Sequence, residues 1–302
     1  MLLIIGSNGF IGRHLTARAA DSGIPLTVVS RTFEQHFFSR YAPAARKVPA
    51  SEVGSESFNR LLKKASAVVY LVSHSVPVTT VTEPVNEVRH NVEPAFSFFL
   101  QLAEINPGAR LVYLSSGGTV YGRTQVLKIP ETHPLHPVSP YGLGKCLCES
   151  CIRFCADTRG QRYAILRVSN PVGRWHSNPH QGLVPTVLRA ITANVPLPVF
   201  GDGQFVRDYL DADDLADAIL RVALNATRND TWNIGSGIGH TTLDVVDIVS
   251  NVVGRKPALK FLPARPFDVE RNVLSIEQIT RDFGWKPMTT LSESVKRIVA
   301  KT

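Results

Sequence analysis

The sequence predicts an α/β protein with a doubly wound parallel sheet and a smaller C-terminal α/β lobe. Three observations carry that expectation. The apolar run Leu2–Ile5 leads without a gap into Gly6-Ser-Asn-Gly9-Phe-Ile-Gly12, which opens a helix-like segment over 10–20. Apolar runs of strand length then alternate with helix-length patterns up to residue 170. Near-continuous apolar strands alternating with helices indicate a parallel sheet covered on both faces. After Asn170-Pro171 the segments shorten, and Pro185, Pro196, Pro198, Gly201 and Gly203 punctuate them.

Strands are expected at Leu2–Ile5, which feeds the glycine turn, and at Leu26–Ser30, which ends on Ser30-Arg31. Further strands are expected at 67–72, at 110–115 before a Ser-Gly turn, and at Tyr163–Val168. Helical patterns fall between them at 11–20, 57–64, 83–105 and 141–157. Beyond residue 171, helical patterns occupy Leu183–Ala193, 212–224 and 243–253, and a last apolar pattern runs through 295–299. The expected organisation is a dinucleotide-binding domain over 1–170, with later segments crossing back to it, and a ligand lobe over 171–302. A ligand is expected in the cleft beyond the carboxyl ends of the strands. There is no internal repeat and no low-complexity tract.

A chain of 302 residues can bury a full core. No apolar run approaches the roughly 18 residues that span a bilayer. Leu2–Ile5 is too short for a signal peptide and no basic segment precedes it, so a cytoplasmic protein without membrane association is expected. The formal charge is +8, but Lys and Arg are scattered, with no aromatic-basic RNA motif and no zinc-finger spacing. Nucleic acid is therefore not an expected partner; positive charge also suits a small polyanionic ligand. The four cysteines, Cys146, Cys148, Cys151 and Cys155, fall in one predicted helix. Cys148, Cys151 and Cys155 share a face and read as a small apolar packing surface rather than a metal site or a disulfide framework.

The glycine run has a direct chemical reading. Residues without a Cβ let the backbone approach a pyrophosphate, and the following helix N-terminus offers free N–H groups and partial positive charge. That is how a Rossmann-type fold holds a dinucleotide. Tyr141-Gly-Leu-Gly-Lys145 places Tyr and Lys four apart at a helix start, on one face. A free phenol is a poor base at neutral pH, and a neighbouring ammonium stabilises the phenolate. Lys145 can also bond a ribose hydroxyl. Upstream, Leu114-Ser-Ser-Gly-Gly-Thr-Val-Tyr-Gly122 follows a predicted strand, and a hydroxyl there, from Ser116 or Thr119, can hold a substrate oxygen.

With these residues in view, the chain resembles an extended short-chain dehydrogenase/reductase of the NAD-dependent epimerase/dehydratase family, similar to the UDP-glucose 4-epimerases over nearly its whole length. The resemblance implies a cofactor, NAD or NADP, held by Gly6, Asn8, Gly9, Phe10, Ile11 and Gly12, by Ser30 and Arg31, by Leu71, and by Tyr141 and Lys145. It makes Tyr141 and Lys145 catalytic, and it matches Asn91 to a helix asparagine of the family. It places Asn170, in Leu166-Arg-Val-Ser-Asn-Pro-Val-Gly173, against a sugar nucleotide. Phe200-Gly-Asp-Gly-Gln-Phe-Val-Arg-Asp208 resembles the segment whose arginine grips a diphosphate, here Arg207. Ala264-Arg-Pro-Phe-Asp-Val269 resembles the segment in which Arg265 would hold phosphate and Asp268 a ribose hydroxyl. Guanidinium forks suit that task because they bind phosphate oxygens two at a time. Asn233-Ile-Gly-Ser-Gly237 is a further landmark of the family.

Three departures matter. The family's catalytic Ser or Thr falls on Gly117, which leaves Ser116 or Thr119 to supply the hydroxyl. The Asp-Glu pair that dehydratases carry is replaced by Gly118 and Thr119, which speaks against elimination. The second strand ends in Ser30-Arg31 rather than an Asp, which leans towards the 2′-phosphate of NADP. The function implied is a nucleotide-sugar 4-epimerase acting on a UDP-hexose or UDP-N-acetylhexosamine in polysaccharide biosynthesis. The alternatives are an NADPH-dependent nucleotide-sugar 4-ketoreductase and, in another class, a non-catalytic dinucleotide-binding sensor. Sugar specificity is expected near 73–78, Gly117 and Asn170, and a homodimer is expected through the helical segments 83–105 and 141–157.

Overall fold

Seven strands form one sheet in the order Arg46–Pro49, Leu26–Ser30, Leu2–Ile5, Ala67–Tyr70, Arg110–Ser116, Tyr163–Val168 and Asp230–Ile234. The structure is a computed structural model describing residues 1–75, 84–176, 181–265 and 268–300. Leu2–Ile5 pairs in parallel with Leu26–Ser30 on one side and with Ala67–Tyr70 on the other. Leu26–Ser30 pairs in parallel with Arg46–Pro49, and Ala67–Tyr70 with Arg110–Ser116. The chain thus winds outward from its first strand and then returns to build the other half. The direction reverses beside Leu2–Ile5, and the crevice at the carboxyl ends of that strand and of Ala67–Tyr70 is where an open α/β sheet takes its ligand. Every residue of these two strands is buried, as a strand covered on both faces requires.

The chain divides into two compact units. The first comprises Met1–Ser116, Ser139–Arg167 and Ala216–Trp232; the second comprises Gly117–Val138, Val168–Leu215 and Asn233–Thr302. In the first, the helix Glu56–Lys64 starts at Ser55, whose hydroxyl accepts from the Phe58 amide, and buries Phe58, Leu61 and Leu62. The helix Glu93–Ile105 adds Phe98 and Phe99, which meet Tyr70 and Tyr113 at ring-centroid distances of 5.4–5.7 Å. Each such side chain contributes about 1.5–3 kcal/mol by leaving water. The helix Pro140–Arg159 begins on Ser139, whose hydroxyl accepts from the Gly142 amide, and stops at Gly160, where φ is 70°. Its Cys148 and Cys155 are buried in this core and Cys151 packs against it; all four cysteines are free thiols, and burial raises each of them.

In the second unit, Val206–Asp211 is flanked by Gly239–Thr241, Arg271–Asn272 and Asn170–Val172. Leu197–Phe200 pairs in parallel with Leu259–Leu262. The helices Leu183–Ala193, Thr242–Val253 and Leu291–Val299 bury Val184, Val187, Val245, Val249 and Val295 in a core of their own. The buried Asp208 accepts from the Ser236 amide and hydroxyl and from the amides of Gly237 and Leu274, which fixes those loops to the strand.

Differences from the sequence reading have physical causes. The helix expected over 83–105 is a short turn Pro84–Glu87, a π-turn Val88–Val92 and the helix Glu93–Ile105. Pro94 cannot donate to the carbonyl four residues back and its ring crowds it, and a widened turn relieves both conflicts. The edge strand Arg46–Pro49 escapes an apolar-run search because only Val48 is buried. Among the described residues, no helix is long and apolar enough to cross a membrane, and no cluster of His, Cys, Asp or Glu could hold a metal ion.

Candidate active site

The glycine turn sits at the reversal point of the sheet. The amides of Gly6 and Ser7 bond to the Val29 carbonyl, and the Leu71 amide bonds to that of Ile5, so three strand ends meet. Gly6 has φ 89°, and a Cβ there would stand 3.2 Å from the Leu71 backbone. A Cβ at Gly12 would overlap the Gly6 carbonyl and stand 2.7 Å from that of Ser7. The helix Phe10–Asp21 begins at Gly9 with no side-chain cap and no acidic residue in its first turn. A helix start of this kind presents backbone amides and partial positive charge to an anion, and the cradle fits a dinucleotide pyrophosphate. Asn8 accepts from Arg13 Nη2 at 3.1 Å and donates to Thr32 Oγ1 at 3.3 Å. Phe10 turns its ring edge-on to His14, and Ile11 is half-buried. Ser30 is half-buried and Arg31 exposed. The nearby Glu34 spends its carboxylate on the amides of His36 and Phe37, capping the helix Gln35–Tyr41.

Tyr141 and Lys145 occupy the first turns of Pro140–Arg159. Lys145 is buried, and its Nζ donates to the Leu114 carbonyl at 2.9 Å. The ammonium also lies 4.9 Å from the Tyr113 ring centroid and 5.5 Å from that of Tyr141. The bond to Leu114 thus fixes the ammonium beside the Tyr141 ring. One turn further on, fully buried Glu149 receives Arg167 through two bonds of 3.0 and 2.8 Å, Ser115 Oγ at 2.6 Å and Arg153 at 3.1 Å. These bonds clamp the end of Arg110–Ser116, and with it Leu114, against the helix. Ser116 is half-buried at that end. In the second unit, the carbonyl of Gly117 accepts from Asn272 Nδ2 at 3.0 Å, and the Thr119 hydroxyl oxygen is buried without a hydrogen-bond partner.

The second unit also gathers four of the residues expected to bind substrate. Arg265 makes two 2.9 Å bonds to Asp268, and its guanidinium lies 4.4 Å from the Phe200 ring centroid. Burial pulls the Arg207 guanidinium below its ordinary value, with Tyr209 and Asp268 opposing and Arg265 adding to it. Arg265 is the one bonded to Asp268, while Arg207 donates to the Val206 carbonyl at 2.9 Å; two guanidiniums near a single carboxylate leave a surplus of positive charge suited to phosphate. Asn170 stands slightly apart, its Nδ2 donating to the Asp208 carbonyl at 2.9 Å.

Sequence reasoning passed over Glu149, Arg167 and Glu87. Glu149 follows Lys145 by four residues on the same helix face, a spacing visible in the sequence. Glu87 had no such signal. Asn91 accepts from the His74 amide and donates to Ser75, close to Glu87. Residues 76–78, expected to bear on sugar choice, and 266–267 lie outside the described residues.

Comparison with known proteins bears on the fold and the family. The UDP-glucose 4-epimerase of Thermotoga maritima with UDP-glucose is 27% identical, with a TM-score of 0.87, covering 99% of this chain and 97% of that one. The UDP-glucose 4-epimerase of Thermus thermophilus in complex with NAD is 25% identical, with a TM-score of 0.88 and coverage of 99% and 97%. The dTDP-4-dehydro-6-deoxyglucose reductase of Escherichia coli is 26% identical over 311 residues, 99% of this chain and 96% of that protein. The profile of the NAD dependent epimerase/dehydratase family matches residues 2–235, and with the glycine cradle and the Tyr-Lys pair in place, the chain belongs to that family as an enzyme of the extended short-chain dehydrogenase/reductase type.

Proposed function

We propose that the protein is a nucleotide-sugar 4-epimerase acting on a UDP-hexose or UDP-N-acetylhexosamine. The observation that carries the reading is the Lys145 ammonium held 5.5 Å from the Tyr141 ring, on a helix of the unit that carries the glycine cradle. The two similar epimerases above add support. When bound, the nicotinamide supplies the redox chemistry at sugar C4 and is regenerated within each turnover. Tyr141, as phenolate, accepts the C4 hydroxyl proton and returns it to the same oxygen once the sugar has turned. Lys145 stabilises the phenolate and orients the ribose. Arg207 and Arg265 hold the diphosphate while the sugar rotates, and Ser116 or Thr119 bonds the C4 oxygen. Incubation of purified protein with UDP-glucose and no added cofactor tests this: UDP-galactose is the expected product, whereas no product there, together with NADPH consumption in a parallel incubation with NADPH and a nucleotide-linked 4-keto sugar, would identify a ketoreductase.

That second reading draws on Ser30-Arg31 and on the similar reductase. The family is NAD dependent by description, yet Glu34 is engaged as a helix cap and Arg31 is exposed beside the strand end. A 2′-phosphate would meet a guanidinium there and no uncommitted carboxylate. Arg31→Ala is expected to weaken NADP about tenfold, or about 1.4 kcal/mol, and to leave NAD within about twofold. Titration of the apoprotein with each dinucleotide measures it, and equal losses for both would remove the 2′-phosphate assignment.

A further inference from the structure

We infer that Glu87 is the counter-ion of Lys145 across a water-sized chamber and thereby positions the Tyr141–Lys145 pair. The chamber lies wholly within the first unit. It measures about 10 Å³, room for a single water, and is lined among others by Ser73, Glu87, Asn91, Tyr113, Lys145 and Cys148. Among the described residues lining it, Lys145 is the only cation and Glu87 the only carboxylate. Glu87 is 2% exposed. A carboxylate so far from solvent is retained as an ion only when paired and hydrogen-bonded.

The direction of the hydrogen bonds around Glu87 shows that it accepts. The His74 amide donates to Asn91 Oδ1 at 2.7 Å, which fixes the side-chain amide. Asn91 Nδ2 therefore faces Ser75 and donates to its Oγ at 2.9 Å. With its oxygen accepting there, the Ser75 hydroxyl sends its proton to Glu87 Oε2 at 2.6 Å. The other carboxylate oxygen lies against the catalytic helix: a Cβ at Gly144 would stand 2.6 Å from Glu87 Oε1. Gly144, next to Lys145 in sequence, thus leaves the hollow that receives the carboxylate. The Lys145 ammonium spends one proton on the Leu114 carbonyl and lies over the Tyr113 ring. The other titratable groups nearby are Tyr113, Cys148 and Tyr141, with Glu149 engaged by Arg167 and His74 exposed on its loop. Among the described residues, Glu87 is the one anion in reach of the chamber that is not already bound to an arginine.

The positioning role rests on the epimerase reading; the ionic coupling does not. The test is a double-mutant cycle in thermal unfolding of the apoprotein, with Glu87→Gln, Lys145→Met and both together. Each single change strands one buried charge, so each lowers Tm, and the double variant is expected at least about 3 °C above the sum of the two losses. Additive losses within about 1 °C would overturn the pairing. Should Glu87→Gln fail to fold, Gly144→Ala displaces the carboxylate from its hollow, and its coupling to Lys145→Met is read by the same criterion. In turnover, Glu87→Gln is expected to lower kcat about tenfold with the KM for nucleotide sugar unchanged; a change confined to KM would overturn the positioning role. Wild-type protein inert towards UDP-hexoses would count against the epimerase reading alone, because the cycle needs no substrate.

Discussion

Tyr141→Phe is expected to lower nucleotide-sugar turnover by about 10³-fold while leaving the dissociation constant for dinucleotide within about twofold. The change removes one oxygen and keeps the ring. The helix start does not depend on that oxygen, because Ser139 caps it through the Gly142 amide and Pro140 presets its first turn. Lys145 keeps its bond to the Leu114 carbonyl. The glycine cradle, formed by Gly6, Gly9 and Gly12, contains no atom of Tyr141. In the proposed mechanism, what is lost is the group that takes and returns the C4 proton, so the loss is expected on kcat rather than on binding. Steady-state turnover with UDP-glucose and fluorescence titration with NAD measure the two arms. Near-normal turnover in the variant would end the assignment of Tyr141 as base, and a large loss of NAD affinity would mean that the ring was structural.

The parts of the fold and site that were legible in the sequence are those whose physics is local. The turn from Ile5 through Gly12 could be read because a pyrophosphate cradle needs missing Cβ atoms at fixed spacing, and the structure places Gly6 at φ 89° and Gly12 where a side chain cannot fit. Tyr141 and Lys145 could be read because four residues make one helical turn. Arg207 and Arg265 were expected to grip phosphate, and the resemblance located them; that Arg265 is bonded to Asp268 while the Asp268 charge also reaches Arg207 depends on contacts between distant segments. The π-turn at Val88–Val92 has its cause in Pro94, but a helix-period search integrates over the whole segment and smooths a single widened turn away. Glu87 was illegible for a different reason. A glutamate near a helix start normally faces water, and only the hollow left by Gly144, 57 positions further on, draws it inside.

Glu149 sets the largest expected effect on stability. Glu149→Gln is expected to cost about 3–5 kcal/mol, because it leaves Arg167 buried without its counter-charge. Arg167 is 5% exposed and Glu149 fully buried, whereas Arg153 is 38% exposed and contributes little through solvent screening. Tm is expected to fall by more than about 6 °C. The pH dependence has a definite sign. Burial alone would raise the Glu149 carboxyl, but the bonds and charge of Arg167, with Ser115 and Arg153, outweigh it and hold the group below its usual range. A carboxyl depressed in the folded state adds stability above its unfolded pKa of about 4.3 and loses it as pH falls through the folded value. The gap between wild type and variant is therefore full at neutral pH and narrows below about pH 4, as unfolding in urea at a series of pH values would record. A gap independent of pH would show that shape, not charge, makes the contribution. The same clamp bears on turnover. Ser115 ties Glu149 to the strand whose Leu114 carbonyl seats the Lys145 ammonium, so the variant is expected to lose kcat along with stability. Arg167→Met combined with Glu149→Gln is expected to recover part of the stability, since no buried guanidinium then lacks a partner, while kcat stays low because the tie to the strand is not restored.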